Sequence, residues 1–186
     1  MTGAADDIKG KEQTAMKKAK DQRDRVADIP VIGDVDDWEP DVVKAILEAP
    51  LRSKVTFYID SAGGSVYGAL AAVTLLRHRQ IDATGIVLGE CSSATLLLFA
   101  ACKKRLVTPY STLMFHKMRW QSDKRVGAGE AHLWAKHFEE LEKTIDDLQA
   151  RLFGAAEEKV HEWTKAGRYV TGPQLVAAGL AELLEV

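Results

Sequence analysis

Gly89-Glu90-Cys91-Ser92-Ser93-Ala94-Thr95-Leu96-Leu97-Leu98-Phe99-Ala100-Ala101 is the stretch on which the reading of this chain turns. The run before it, Ile86-Val87-Leu88, is short and apolar, as a buried strand is. The residues after it are small and apolar with good helix propensity. The two serines therefore fall where a strand gives way to a helix. A hydroxyl there sits at the positive end of the helix dipole, beside backbone N–H groups that lack intrahelical partners. Two readings fit. Ser92 or Ser93 caps the helix, or one of them is a nucleophile whose oxyanion the free N–H groups can hold.

Upstream, Val55-Thr56-Phe57-Tyr58-Ile59-Asp60 alternates as a strand and runs into Ser61-Ala62-Gly63-Gly64-Ser65-Val66. The paired glycines allow backbone conformations closed to other residues and leave room for a ligand's main chain. A helix is expected from about Tyr67 to Arg79, so strand, turn and helix occur twice in the same order. Turns of this kind in one α/β unit face the same end of the sheet, where such folds bind ligands. A tight turn is the simpler reading of Gly63-Gly64; a phosphate loop is not indicated, because no Lys-Ser/Thr pair follows.

Ile29-Pro30-Val31-Ile32-Gly33 reads as an edge strand, where proline is tolerated. Asp34 to Asp37 forms a capped turn, and Trp38-Glu39-Pro40 opens a helix striped by Val42, Val43, Ile46 and Leu47. Downstream, Lys104–Thr108 and Thr112–His116 are short strands, the second closed by a histidine. A histidine at a strand end is structural in most folds; as a base it has to meet the serine in space. One long helix is expected over residues 130–163. Trp134, Phe138, Leu141, Ile145, Leu148 and Leu152 follow a 3.5-residue repeat along it, the spacing of a helix–helix seam. That seam is read as a subunit contact, the alternative being a helix lying on its own core. Tyr169-Val170 is a short strand, Thr171-Gly172-Pro173-Gln174 caps a last helix ending at Gly179, and Leu180–Val186 docks as a tail.

The 186 residues suit one domain, with 46% hydrophobic and 28% charged residues. A net charge of −2 gives no broad basic field for nucleic acid, and no apolar run reaches the roughly 18 residues that span a membrane. Residues 1–28 are highly charged and poor in large apolar side chains, and are read as a mobile tail ahead of a domain over 29–186. Cys91 and Cys102, if on one helix, lie roughly 16 Å apart, too far for a disulfide. Buried thiols and a cytoplasmic setting fit. No histidine pair has metal-ligand spacing; neither metal nor cofactor is expected.

Three pieces together resemble one family. Tyr58-Ile59-Asp60-Ser61-Ala62-Gly63-Gly64-Ser65-Val66 resembles the "Y-I-N-S-P-G-G-S-V" of the Clp protease proteolytic subunit, Gly89–Ala101 its "G-Q-A-A-S-M-G-A-F-L-L-A-A", and Thr112–His116 its "R-V-M-I-H". The closing stretch from Tyr169 to Glu182 is similar to that family's "F-x-S-A-x-E-A-x-x-x-G-L-I-D". The resemblance implies an α/β fold of the ClpP/crotonase-like kind, a repeated β-β-α superhelix with a protruding handle helix over 130–163. It implies a ring-forming homo-oligomer that cleaves peptides or unfolded proteins. By position, Ser93 matches the nucleophile and His116 the general base. Gly64 and Ala94 match the oxyanion N–H donors, and Gly63, Gly64, Ser65 and Val66 the strip that pairs with extended peptide.

The chain departs from the family where its catalytic Asp is expected. His161-Glu162-Trp163-Thr164-Lys165-Ala166-Gly167-Arg168 contains no Asp. Glu162, a water or a backbone carbonyl remain as groups to orient His116, or nothing does. Thr95 and Ala62 also replace family residues, and the tail does not match the axial-loop segment, so an unfoldase ATPase partner does not follow. The overall pattern is closer to phage-type head-maturation peptidases than to the housekeeping subunit. Two other functions stand beside a serine peptidase: a non-catalytic ring subunit or scaffold, and a crotonase-like acyl-CoA enzyme.

Overall fold

The computed structural model describes residues 26–122, 125–154 and 157–185. All but the last three residues of the expected N-terminal tail lie outside these. Those three, Val26–Asp28, belong to the first strand, so the folded part starts ahead of residue 29.

In chain order the elements are β1 (Val26–Asp34), α1 (Val35–Glu48), β2 (Lys54–Gly63), α2 (Val66–His78), β3 (Asp82–Ser92), α3 (Thr95–Ala101), β4 (Lys104–Val107), β5 (Thr112–Phe115), α4 (Ala128–Phe153), α5 (Glu157–Ala166), β6 (Arg168–Thr171), α6 (Gly172–Ala177) and β7 (Glu182–Leu183). The sheet runs β1-β2-β3-β4-β7 with every pair parallel, and β1 is at the edge, where Pro30 needs no ladder partner on its open side. Helix α1 begins at Val35 rather than Trp38. Asp34 flanks it, its backbone N–H donating to the Asp37 carboxylate at 3.2 Å, and Val35 is fully buried.

Strand β3 changes partners partway along. Thr84–Val87 pairs with Lys104–Val107 of β4, whereas Glu90–Ser92 pairs with Thr112–Met114 of β5, and β6 adds antiparallel to β5. At the changeover Ser111, 1% exposed, donates its hydroxyl to the Val87 carbonyl at 2.9 Å, filling a place the ladder leaves open. Between Ile59 and Ser61 the register against β3 slips by two residues, from Ile59↔Val87 to Ser61↔Cys91. Asp60 clamps the resulting bulge by accepting from the Glu90 N–H at 2.9 Å. Both irregularities fall immediately before Ser92-Ser93, so the strand end there is re-aimed and held.

The core lies between the sheet and its covering helices. Helix α3 is buried all round, with Leu96 to Ala100 at 1% exposure or less. Arg105 collects the carbonyls of Ala100, Cys102, Phe153 and Leu180, a cation placed where α3 and α4 end. Cys91 lies in β3 and Cys102 directly follows α3, so the two share no helix; both thiols are free and buried.

The single helix expected over 130–163 is two helices. α4 stops at Phe153 and Gly154 follows at φ +89°, a conformation that ends a helix and that glycine adopts without a Cβ penalty. The chain then re-enters helix at Glu157. The seam is divided as well. Ile145, Leu148 and Leu152 pack on this chain's own core, while Trp134 and Phe138 meet Trp120 from the segment after β5, at centroid distances of 5.6 and 5.3 Å. No described helix is long and apolar enough to cross a membrane.

Candidate active site

Strand β5 brings the site together. Its register sets Met114 opposite Ser92, and the next N–H of the turn, that of Ser93, donates to the Met114 carbonyl at 2.9 Å. Phe115 is fully buried and packs against Trp163 and Phe153, at 5.3 and 5.9 Å. The next residue, His116, follows the end of the strand and turns its side chain to the cavity side. There a cavity of about 70 Å³ is lined by Gly64, Val66, Ser93, Ala94, Leu97, His116, Met118, Arg119, Glu142, Ile145, Asp146 and Gln149.

Of the two serines only Ser93 lines this cavity. Ser92 is 3% exposed and donates to the Glu90 carboxylate at 2.6 Å. Ser93 has φ +55°, left-handed backbone that costs a residue with a side chain about 1–2 kcal/mol. Neither serine is the N-cap, a position Ala94 holds. The strained turn instead lifts the Ser93 hydroxyl clear of the strand, as a nucleophile on a sharp strand-to-helix elbow requires.

The glycine turn lies against this elbow. Gly63 has φ +106° and Gly64 φ +136°; a Cβ on Gly63 would stand 2.5 Å from the Ser93 Cβ. A buried polar network fixes the approach. The Ser61 hydroxyl oxygen accepts from Trp38 Nε1–H and the Gly63 N–H, both at 3.3 Å, and lies 2.8 Å from Thr95 Oγ1. With two donors already pointing at it, Ser61 directs its own proton to Thr95. Thr95, one of the departures from the family pattern, thus joins the first turn of α3 to the glycine turn. Ser65 caps α2, accepting from the Gly68 N–H at 3.5 Å, and Val66 opens that helix on the cavity wall.

His116 Nδ1 lies 2.6 Å from the Lys117 carbonyl oxygen. A carbonyl only accepts, so the proton belongs on Nδ1, and Nε2 is left with a free lone pair. This is the tautomer a general base needs. Ser93 and His116 share the cavity without a hydrogen bond between them, as is common before substrate tightens such contacts. Glu162 does not reach the site. Its carboxylate pairs with Lys159 at 3.2 Å on α5, and it is absent from the cavity wall.

The carboxylates that do line the cavity, Glu142 and Asp146, lie on α4, one turn apart. Glu142 pairs with Lys117 at 2.9 Å. Asp146 makes no hydrogen bond or ion pair with the described residues; burial, then Glu142, push its carboxyl above the ordinary range, against a smaller pull from Lys117 and His161. In the sequence these acids are ordinary members of a charged helix, and only the packing of α4 across the site reveals them.

Mixed α/β structure on a mostly parallel sheet, with turn-borne residues gathered at one end, is the Clp/crotonase-like fold. A model of the Clp protease family matches residues 13–184, nearly the whole chain, and the chain belongs to that family. At the level of the family it is thereby a serine-peptidase-type hydrolase, and Clp protease family proteins act on peptide or protein substrates and form rings.

Proposed function

We propose that the chain is a serine endopeptidase in which Ser93 is the nucleophile and His116 the general base, working in a homo-oligomer of stacked rings. The observation that carries this is the single cavity uniting Ser93 on its strained turn, Gly64, Ala94 and a His116 whose Nδ1 proton is held on a backbone carbonyl. Nε2 takes the Ser93 proton as Oγ attacks the scissile carbonyl. The Gly64 and Ala94 N–H groups receive the oxyanion, and the imidazolium then protonates the leaving amine. Water, deprotonated by the same imidazole, releases the acyl group and restores the serine. Gly63–Val66 offers the extended backbone for β-pairing with substrate.

The Lys117 carbonyl takes over the orienting role of the missing carboxylate. In the serine protease template, replacing the Asp costs about 10⁴-fold because the wrong tautomer results. A carbonyl keeps the right tautomer and forgoes only the carboxylate's charge, so the rate is lowered by less. A fluorophosphonate probe, read by mass spectrometry on the assembled protein, is expected to label Ser93, with labelling lost in His116→Ala. Unlabelled Ser93 in an intact assembly refutes the assignment.

Among the described residues no carboxylate contacts His116, and this favours one other reading, a ring subunit without catalysis. It requires Ser93→Ala to be silent in every assay while assembly persists.

A further inference from the structure

Two walls make the cavity beside Ser93. One comes from the catalytic turns, with Gly64, Val66, Ser93, Ala94 and Leu97; the other is a single face of α4, with Glu142, Ile145, Asp146 and Gln149 at steps of three and four. Val66, Leu97, Ile145 and Met118 make it apolar along its sides. On the α4 wall two acceptors lack partners among the described residues. Asp146 is unpaired, and Gln149, 6% exposed, donates from Nε2 to Thr164 at 3.5 Å, which leaves its Oε1 without a hydrogen bond to the described residues. Glu142 is already neutralised by Lys117.

An apolar sleeve carrying unfilled acceptors suits a ligand with an aliphatic stem and a head that only donates. Among amino-acid side chains these are lysine and arginine. Resting on the peptidase reading, we propose that this cavity receives the substrate side chain preceding the cut and selects a basic one through Asp146 and Gln149.

The charged groups around Asp146 are Glu142 and Asp147 on its own helix, Lys117 and Arg119 from the segment after β5, and His161 from α5. Lys117 is engaged by Glu142, and His161 lies 3.8 Å from Asp147. Arg119 is exposed, lines the same cavity and makes no ion pair with Asp146; its positive charge disfavours a second cation there.

The test compares matched fluorogenic peptides with Lys, Arg, Leu or Glu before the scissile bond. Cleavage after Lys and Arg is expected to exceed that after Leu by about ten-fold or more in kcat/KM, with Glu poorest. Asp146→Asn should bring the Lys/Leu ratio to within about two-fold of unity, and Arg119→Ala should raise it. Wild-type preference for Leu, or a Lys/Leu ratio that Asp146→Asn leaves intact, overturns the proposal. A second measurement does not need turnover. Ser93→Ala should bind a product peptide ending in Lys more tightly than one ending in Leu, by fluorescence anisotropy. Ser93 labelled by fluorophosphonate without basic preference refutes this inference alone. An unlabelled Ser93 refutes the peptidase reading, and the anisotropy ratio still decides what the cavity prefers.

Discussion

Gly63→Ala probes the site through the contact on which its geometry depends most. The added Cβ would lie 2.5 Å from the Ser93 Cβ, 2.8 Å from the Ser92 carbonyl oxygen and 3.2 Å from the Ser93 hydroxyl oxygen. Ordinary contact begins near 3.4 Å, so the glycine turn and the elbow must separate by about 0.9 Å. The backbone at φ +106° adds strain of about 1–3 kcal/mol, and forced overpacking about 1–3 more. The sum, about 2–6 kcal/mol, lies below most of the typical stability range of about 5–15 kcal/mol, so a folded but weakened protein is expected. Catalysis should not survive, since a displacement of about 1 Å at reacting groups can cost about 10²-fold. The expected result is a fall of that order or more in the rate of Ser93 labelling and peptide cleavage, with chemical denaturation showing a folded but weakened protein. Gly129→Ala, where a Cβ meets nothing within 4 Å, serves as the control and should leave labelling unchanged. Because Ser93→Gly removes the opposing Cβ, combining it with Gly63→Ala should recover part of the lost stability, giving a coupling of about 0.5–3 kcal/mol. Labelling of Gly63→Ala at the wild-type rate, or a zero coupling, would refute the contact and with it the joint positioning of the two turns.

Other perturbations have equally definite outcomes. Ser93→Gly relieves the φ +55° strain and should raise stability by about 1 kcal/mol in urea unfolding while abolishing labelling. Thr95→Val removes the acceptor for the Ser61 proton and should cost about 1–3 kcal/mol, with slower labelling of Ser93 as the glycine turn loosens. Asp146 has its folded-state carboxyl raised, so the folded protein holds that proton more tightly than the unfolded chain and stability falls as pH rises through the raised value. Asp146→Asn should therefore be more stable than wild type at neutral pH, and the gain should vanish below the ordinary carboxylate range. Burial pushes the Cys102 thiol up to about 12 and the Cys91 thiol well above its ordinary value. Neither should react with an aromatic disulfide reagent in the native protein at pH 8, and both should react on unfolding.

What was legible in the sequence was whatever a local pattern encodes. Ile86-Val87-Leu88 followed by small residues announced an elbow, and the paired glycines after Ile59 announced a turn. Edge strand β1 was visible through Pro30. The choice of Ser93 over Ser92 rests on resemblance; in the structure Ser93 lines the cavity, whereas the Ser92 hydroxyl is engaged by Glu90. The break at Gly154 was hidden because heptad spacing continued up to it and an isolated glycine is tolerated within a helix. Pro40 suits a first helical turn and so suggests a start at Trp38, whereas the helix begins three residues earlier, directly after Asp34, with Pro40 in its second turn. Asp146 and Glu142 were invisible as site residues because nothing local says which face of a charged helix crosses a cleft. The partner of His116 was unreadable for a different reason: it is main chain, and no residue type encodes it.

That last feature shapes how activity can be lost. A triad built on a side-chain acid is undone by one codon change, whereas every amino acid at position 117 supplies the same oxygen. In the proposed site the hold on His116 is accordingly insensitive to the residue type at position 117 and sensitive to bending of the peptide plane after His116. Control over it passes to whatever restrains the stretch leading to α4, where Trp120 leans on Trp134 and Phe138.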